Sequence, residues 1–192
     1  DPGRNPLLQC DDWALLCSHY LDSDLLVAGM PGDDCQRFVG TGLEPGAKWR
    51  LLEPWWPAVS NTGYGQAVRI AMRELYGVEE LSAATVEQVQ AGYERTRRPG
   101  MYEHVLREVA GIESCQVNHL GGPFRESAQP DLLMQDLGVV GMFAGPDIGQ
   151  LAPPAGIEVR GLADWHRVIG WWFDHCAGRV VAVKSQHAYA RD

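Results

Sequence analysis

Along positions 1–111 apolar residues recur at intervals of three and four, the period of helices with one buried face. Asp11 and Asp12 can cap a helix in which Trp13, Leu16, Cys17 and Tyr20 share a stripe, and Gly29 and Pro31 stop it. A second short helix carries Cys35, Phe38 and Val39. The stretch Glu44 to Pro57, with three prolines and three tryptophans, reads as an irregular, well-packed connection, because flexible linkers do not carry Trp49, Trp55 and Trp56. Asn61 can cap a helix with Tyr64, Ala67, Val68, Ala71, Met72 and Leu75 on one face, closed by Gly77. Thr85 and Gln88 form a capping-box pattern ahead of Val86, Val89 and Tyr93, and Pro99 opens a helix through Met101, Tyr102, Val105, Leu106 and Val109 that ends at Gly111.

After Gly111 the period changes. Cys115 to Leu120 is short and bounded by Gly-Gly-Pro, and Leu137 to Ala144 is a continuous apolar run, the pattern of a strand buried on both faces. Leu162, Trp165, Val168, Ile169, Trp172, Phe173 and Cys176 are helical in spacing, and Gly178 hands over to a further buried strand, Val180 to Val183. The expectation is an α/β chain, a helical region over 1–111 followed by βα units with a parallel sheet over 112–192. Three strands are too few for a closed barrel, which takes about 250 residues. The chain opens on Asp1 rather than Met, so it reads as a piece of something longer.

The 192 residues are 45% hydrophobic and 21% charged, with 16 Lys+Arg against 25 Asp+Glu, a net charge of −9. That balance excludes a disordered polyelectrolyte and argues against nucleic acid as a partner, since no basic surplus is there to displace counterions. No apolar run approaches the roughly 18 residues of a membrane helix. No signal peptide opens the chain and the five cysteines lack C-x-x-C spacing, so reduced thiols and a cytoplasmic location are expected.

The phosphate-loop, dinucleotide, zinc-protease and nucleophile-elbow motifs are absent from the sequence. What remains is position: βα folds place chemistry at the C-terminal ends of strands. Asn118 and His119 end the first strand, Asp147 follows the second, and Lys184, Ser185, Gln186 and His187 follow the third. Lys184, directly after an apolar strand, would enter a low-dielectric sheet top and need a carboxylate, a phosphate or a metal; the plainer alternatives are a buried structural ion pair or a lysine reaching the surface. His119 and His187 are candidate substrate contacts, with a polar strand cap as the plainer reading. By periodicity Tyr20 belongs to the inward stripe with His19 beside it. His104, His166 and His175 lie away from strand ends and read as structural or solvent-facing.

Taken together, Ser18-His19-Tyr20-Leu21, Ala28-Gly29-Met30-Pro31, and Asn61-Thr62-Gly63-Tyr64 leading to Arg73-Glu74-Leu75-Tyr76-Gly77 resemble the N-terminal helical insertion of uronate isomerase and its relatives in the amidohydrolase superfamily. Val181-Ala182-Val183-Lys184-Ser185, with Ala188-Tyr189-Ala190-Arg191, resembles a strand-and-loop pattern of amidohydrolase-related proteins. The resemblance implies a partial (β/α)8 barrel with a helical insertion, and a divalent metal, Zn²⁺ or a similar cation, at its C-terminal mouth. It implies a His-x-His pair upstream of Asp1-Pro2 and an aspartate beyond Asp192, so that most metal ligands lie outside this chain. It makes His19 and Tyr20 catalytic, contacting a small polar substrate and assisting proton transfer. It places Lys184 where some binuclear relatives carry a metal-bridging carboxylated lysine, while uronate isomerases use one metal without it. Hydrolysis and aldose–ketose isomerisation both stay open.

A reading from another class is a non-enzymatic α/β module that binds a metabolite or protein through Trp55, Trp56, Trp171 and Trp172, against which stands the plain role of tryptophan as core. A piece of a barrel would expose apolar strand edges, so a homo-oligomer is also expected.

Overall fold

The computed structural model describes residues 10–119, 121–143, 146–186 and 188. The chain is α/β, mostly helical with a small three-stranded parallel sheet, and divides into two compact units, Asp1–Gly111 and Ile112–Asp192. Each has its own apolar cluster among the described residues.

The first unit opens with a tight 3-10 turn, Trp13–Cys17, capped by Asp12, whose Oδ1 accepts from the Ala14 N–H at 2.9 Å. The single helix expected over this stretch is broken. Both the backbone N–H and the hydroxyl of Ser18 donate to the Leu15 carbonyl, which ends the turn, and Tyr20 sits at φ 68° before α1 (Leu21–Ala28) begins. The buried residues of α1 are Leu21 and Leu25; Tyr20 is 56% exposed, so the inward placement drawn from its spacing is corrected.

α2 (Gly32–Val39) buries Cys35, Phe38 and Val39 as the spacing predicts. The stretch expected to be irregular contains α3 (Pro45–Leu52), with proline in its first turn, and the short α4 (Trp56–Val59). α5 (Gly63–Ala71) is capped by Thr62 rather than Asn61: Thr62 Oγ1 accepts from the Gly65 N–H at 3.2 Å. It continues as a π-helical turn, Met72–Tyr76, ended by Gly77 at φ 69°. Its buried stripe is Gly65, Val68, Met72 and Tyr76, one position round from the predicted face, which leaves Tyr64 46% exposed. The reason is Gly65, where an added Cβ would stand 2.0 Å from the Val59 carbonyl oxygen; the helix approaches that backbone through its glycine. α6 (Val86–Thr96) lacks the expected capping box, because the Thr85 hydroxyl instead donates to the Glu80 carbonyl at 2.7 Å and accepts from the Ser82 N–H. A π-helical segment, Glu103–Val109, follows with no fully buried residue.

One polar group in this unit was not foreseen. Lys48 is completely buried, its Nζ 2.6 Å from Asp12 Oδ2 and 2.6 Å from the Gly40 carbonyl oxygen. All five thiols are free, and Cys10, Cys17, Cys35 and Cys176 are buried. Burial, with Asp12 adding to it, pushes the Cys10 thiol up to about 11; burial also raises Cys17, Cys35 and Cys176, and pushes Tyr76 up to about 12.

In the second unit β1 (Cys115–Val117), β2 (Leu133–Gly138), α7 (Val140–Phe143), α8 (Ile148–Ala155), α9 (Leu162–Cys176) and β3 (Ala182–Lys184) follow in order. The strands lie β1-β2-β3, all parallel, with Cys115 opposite Leu133 and Asp136 opposite Ala182. The apolar run from Leu137 to Ala144 was expected to be one strand. Instead β2 ends at Gly138, whose N–H turns to the Pro123 carbonyl, and Val140 opens a helix; Ala144 lies outside the described residues. The link from β1 to β2 contains no helix among its described residues, so it departs from the repeated βα pattern. Leu137 and Val139 pack with Trp165, Val168 and Trp172 of α9, whose indole N–H groups are satisfied: Trp165 donates to Met142 O at 3.2 Å and Trp172 to Leu151 O at 3.0 Å. Among the described residues, no helix is long and apolar enough to cross a membrane.

Candidate functional site

Parallel strands end together, so the residues after β1, β2 and β3 are gathered at one edge of the sheet. There the second unit has a cleft of about 370 Å³, within the size range of small-molecule sites, lined among others by Asn118, His119, Gly141, Asp147, Gln150, Lys184 and Gln186. His119 and Lys184, singled out separately in the sequence, therefore line one space. His187 lies outside the described residues.

Local structure explains the placement. Val139 N–H donates to Lys184 O at 2.9 Å, which fixes the lysine backbone beside the end of β2. The loop Gly121-Gly122 leaves room for the imidazole of His119: a Cβ on Gly121 would stand 3.1 Å from Nε2. Gln150 Nε2 donates to Gly121 O at 3.0 Å and tethers that loop to α8. Asp147 caps α8, its Oδ1 accepting from the Gln150 N–H at 3.1 Å, so part of its polar capacity is already spent on the fold. Asn118, His119, Lys184 and Gln186 supply an amide, an imidazole, an ammonium and a second amide to the cleft. Lys184 is exposed, not carried into a dry sheet top as its sequence context suggested, and forms no ion pair with a described residue.

His19 and Tyr20 belong to the first unit, where they make an exposed aromatic group with Tyr64. The Tyr20 and Tyr64 rings stack at 5.0 Å, and His19 meets Tyr20 edge-on at 4.6 Å. Tyr20 holds a backbone conformation that a side chain disfavours, at a cost of about 1–3 kcal/mol, of the kind found at functional positions. Trp56 and Trp172 are buried, and Trp55 and Trp171 half-buried. The Trp56 indole donates to Glu80 at 3.2 Å, and Trp171 stacks on His175 at 4.4 Å, so all four are at least half engaged in packing.

Sequence reasoning missed Gln150 and the Gly121-Gly122 cradle. The first has a signal, since Asp147 three residues ahead makes a helix-start pair; the second is marked only by the Gly-Gly-Pro turn. Among the described residues no group of three or more His, Cys, Asp or Glu side chains could hold a metal ion. Set against protein-family models, curated proteins and solved structures, the chain matches none of them.

Proposed function

We propose that the three parallel strands belong to a (β/α)8-type barrel resembling that of uronate isomerase and other amidohydrolases, and that the chain serves an enzyme acting on a small polar substrate held in the cleft. The observation that carries this reading is the meeting of His119 and Lys184 in one cleft at the C-terminal ends of the parallel strands β1 and β3. Strand order supports it too, since each new strand adds on the same side, as it does in a barrel.

In this reading the Lys184 ammonium binds an anionic group of the substrate, Asn118 and Gln186 hydrogen-bond its hydroxyls or carbonyl, and the His119 imidazole gives or takes a proton. The resemblance also gives His19 and Tyr20 of the first unit a catalytic role, and the strained backbone at Tyr20, which presents its ring to solvent, supports such a role. The divalent metal that accompanies the resemblance is not accommodated by the described donors, so no step is routed through it.

The test is calorimetric titration of the chain with a hexuronate, with and without Zn²⁺, and NMR detection of the ketose. Binding that Lys184→Ala abolishes and His119→Ala weakens is expected. No binding under either condition sinks the proposal.

A further inference from the structure

The second unit contains a buried acid that neither the fold nor the cleft accounts for. Asp136, in the middle of β2, is 6% exposed, and its Oδ1 has no hydrogen-bond partner. A carboxylate removed from water without a donor is costly unless a cation compensates it. The other described cations of the unit offer little: Arg160, Arg167 and Arg179 are paired with Glu158, Asp164 and Glu126, and Arg125 lies exposed in the β1–β2 connection.

Register points to Lys184. Asp136 pairs with Ala182 and Gly138 with Lys184, so Asp136 and Lys184 lie on the same face of the sheet, on adjacent strands and two residues apart. That diagonal is about 7–8 Å between backbones, within reach of a long side chain. The lysine has a four-methylene stem and a head free to swing, while the aspartate is fixed by its strand.

We propose that Asp136 is the positioning residue of the cleft cation, its carboxylate drawing in and holding the Lys184 ammonium. An ammonium held this way is aimed at an anionic group, which it binds by charge and hydrogen bonds. The proposal draws its purpose from the reading of the cleft as a substrate site, but the pairing is tested without any substrate, so the two can fail separately.

The chain has only two lysines, and Lys48 is completely buried, so amine chemistry on the native protein reports Lys184 and the N-terminus. Trace acetylation with acetic anhydride at pH 8, read by mass spectrometry, is expected to label Lys184 several-fold faster in Asp136→Asn than in the unaltered chain, because the amine is no longer held by a carboxylate. Asp147→Asn is expected to leave the rate unchanged. An unchanged rate in Asp136→Asn, with circular dichroism showing a folded chain, overturns the proposal. Should that variant not fold, carbodiimide treatment of the unaltered protein is the second measurement. It is expected to join Lys184 to Asp136 as an amide with loss of one water; a link to Asp147 in its place, or none to Asp136, overturns the proposal equally.

Discussion

Each unit holds one lysine, and the two are used in opposite ways. Lys48 in the first unit is fully buried, clamped by Asp12 and the Gly40 carbonyl, and helps close a core that runs from Cys10 to Tyr93. Lys184 in the second unit is exposed at a strand end and lines a cleft, above a smaller core centred on Leu137, Met142, Trp165 and Val168. In the helical unit polar groups are consumed by the fold: Asp12 caps a turn and pairs with Lys48, and Thr62 caps α5 while its hydroxyl donates to Asp24 at 2.6 Å. In the sheet unit several stay available to a ligand. Polar groups tied into the fold and polar groups left open to a cleft are concentrated in different stretches of the chain.

The strongest attempt to break that contrast is Asp12→Ala, which strands the buried Lys48 ammonium and removes the cap on Ala14. A loss of about 3–5 kcal/mol is expected in urea unfolding followed by far-ultraviolet circular dichroism. A loss below about 1 kcal/mol would mean that Lys48 finds water, and the contrast between the lysines would collapse. Next is Gly92→Ala in α6, whose Cβ would stand 2.5 Å from the Tyr76 ring; overpacking of about 1–3 kcal/mol is expected, read as a lowered urea midpoint.

Alkali should weaken the first unit through its buried acids. Folded Cys10 keeps its proton to about pH 11, while the unfolded thiol loses it near 9.0, so the folded state holds the extra proton between those values. Its contribution to stability is intact below 9.0 and declines by about 1.4 kcal/mol per pH unit as pH rises through that window. Tyr76 acts in the same sense between 10.0 and about 12. Both residues lie in the first unit, so its urea midpoint should fall between pH 8 and 10.5; equal midpoints would refute the assignment. The smallest effect is expected for Arg160→Ala, whose pair with Glu158 is three-quarters exposed on both sides. A change within about 0.5 kcal/mol by thermal denaturation would confirm that the surface ion pairs of the sheet unit are dispensable.

How much of this was legible in the sequence varied with the reach of the interaction. α2 and the buried Trp165, Val168, Trp172 and Cys176 of α9 followed from spacing, because a helix that packs on its own unit shows its inward face directly in its period. The split of the first predicted helix did not, because a single hydroxyl, that of Ser18, competes with the backbone for Leu15. α5 turned by one position because Gly65, silent in any hydrophobic count, makes the closest approach. Asn118, His119 and Lys184, read from the sequence as residues at separate strand ends, line one cleft, since parallel strands gather their ends whatever the loops do. Asp136 escaped notice because it and Gln135 interrupt the apolar pattern in the middle of β2, so that the apolar run was read only from Leu137, and Lys48 because its partners lie 36 and 8 positions away in sequence.

The sheet also sets an order of events during synthesis. β1 and β2 are separated by 15 residues along the chain, whereas β3 pairs with β2 only after α7, α8 and α9 have intervened. The helical unit, complete in sequence by Gly111, can fold on the ribosome while the rest is still being translated. The rung from Val139 to Lys184 cannot form until the lysine itself has emerged. The cleft is thus the last part of the described structure to come into being, and a chain cut short between Gly111 and residue 184 keeps the residues of the helical unit but lacks the lysine of the cleft.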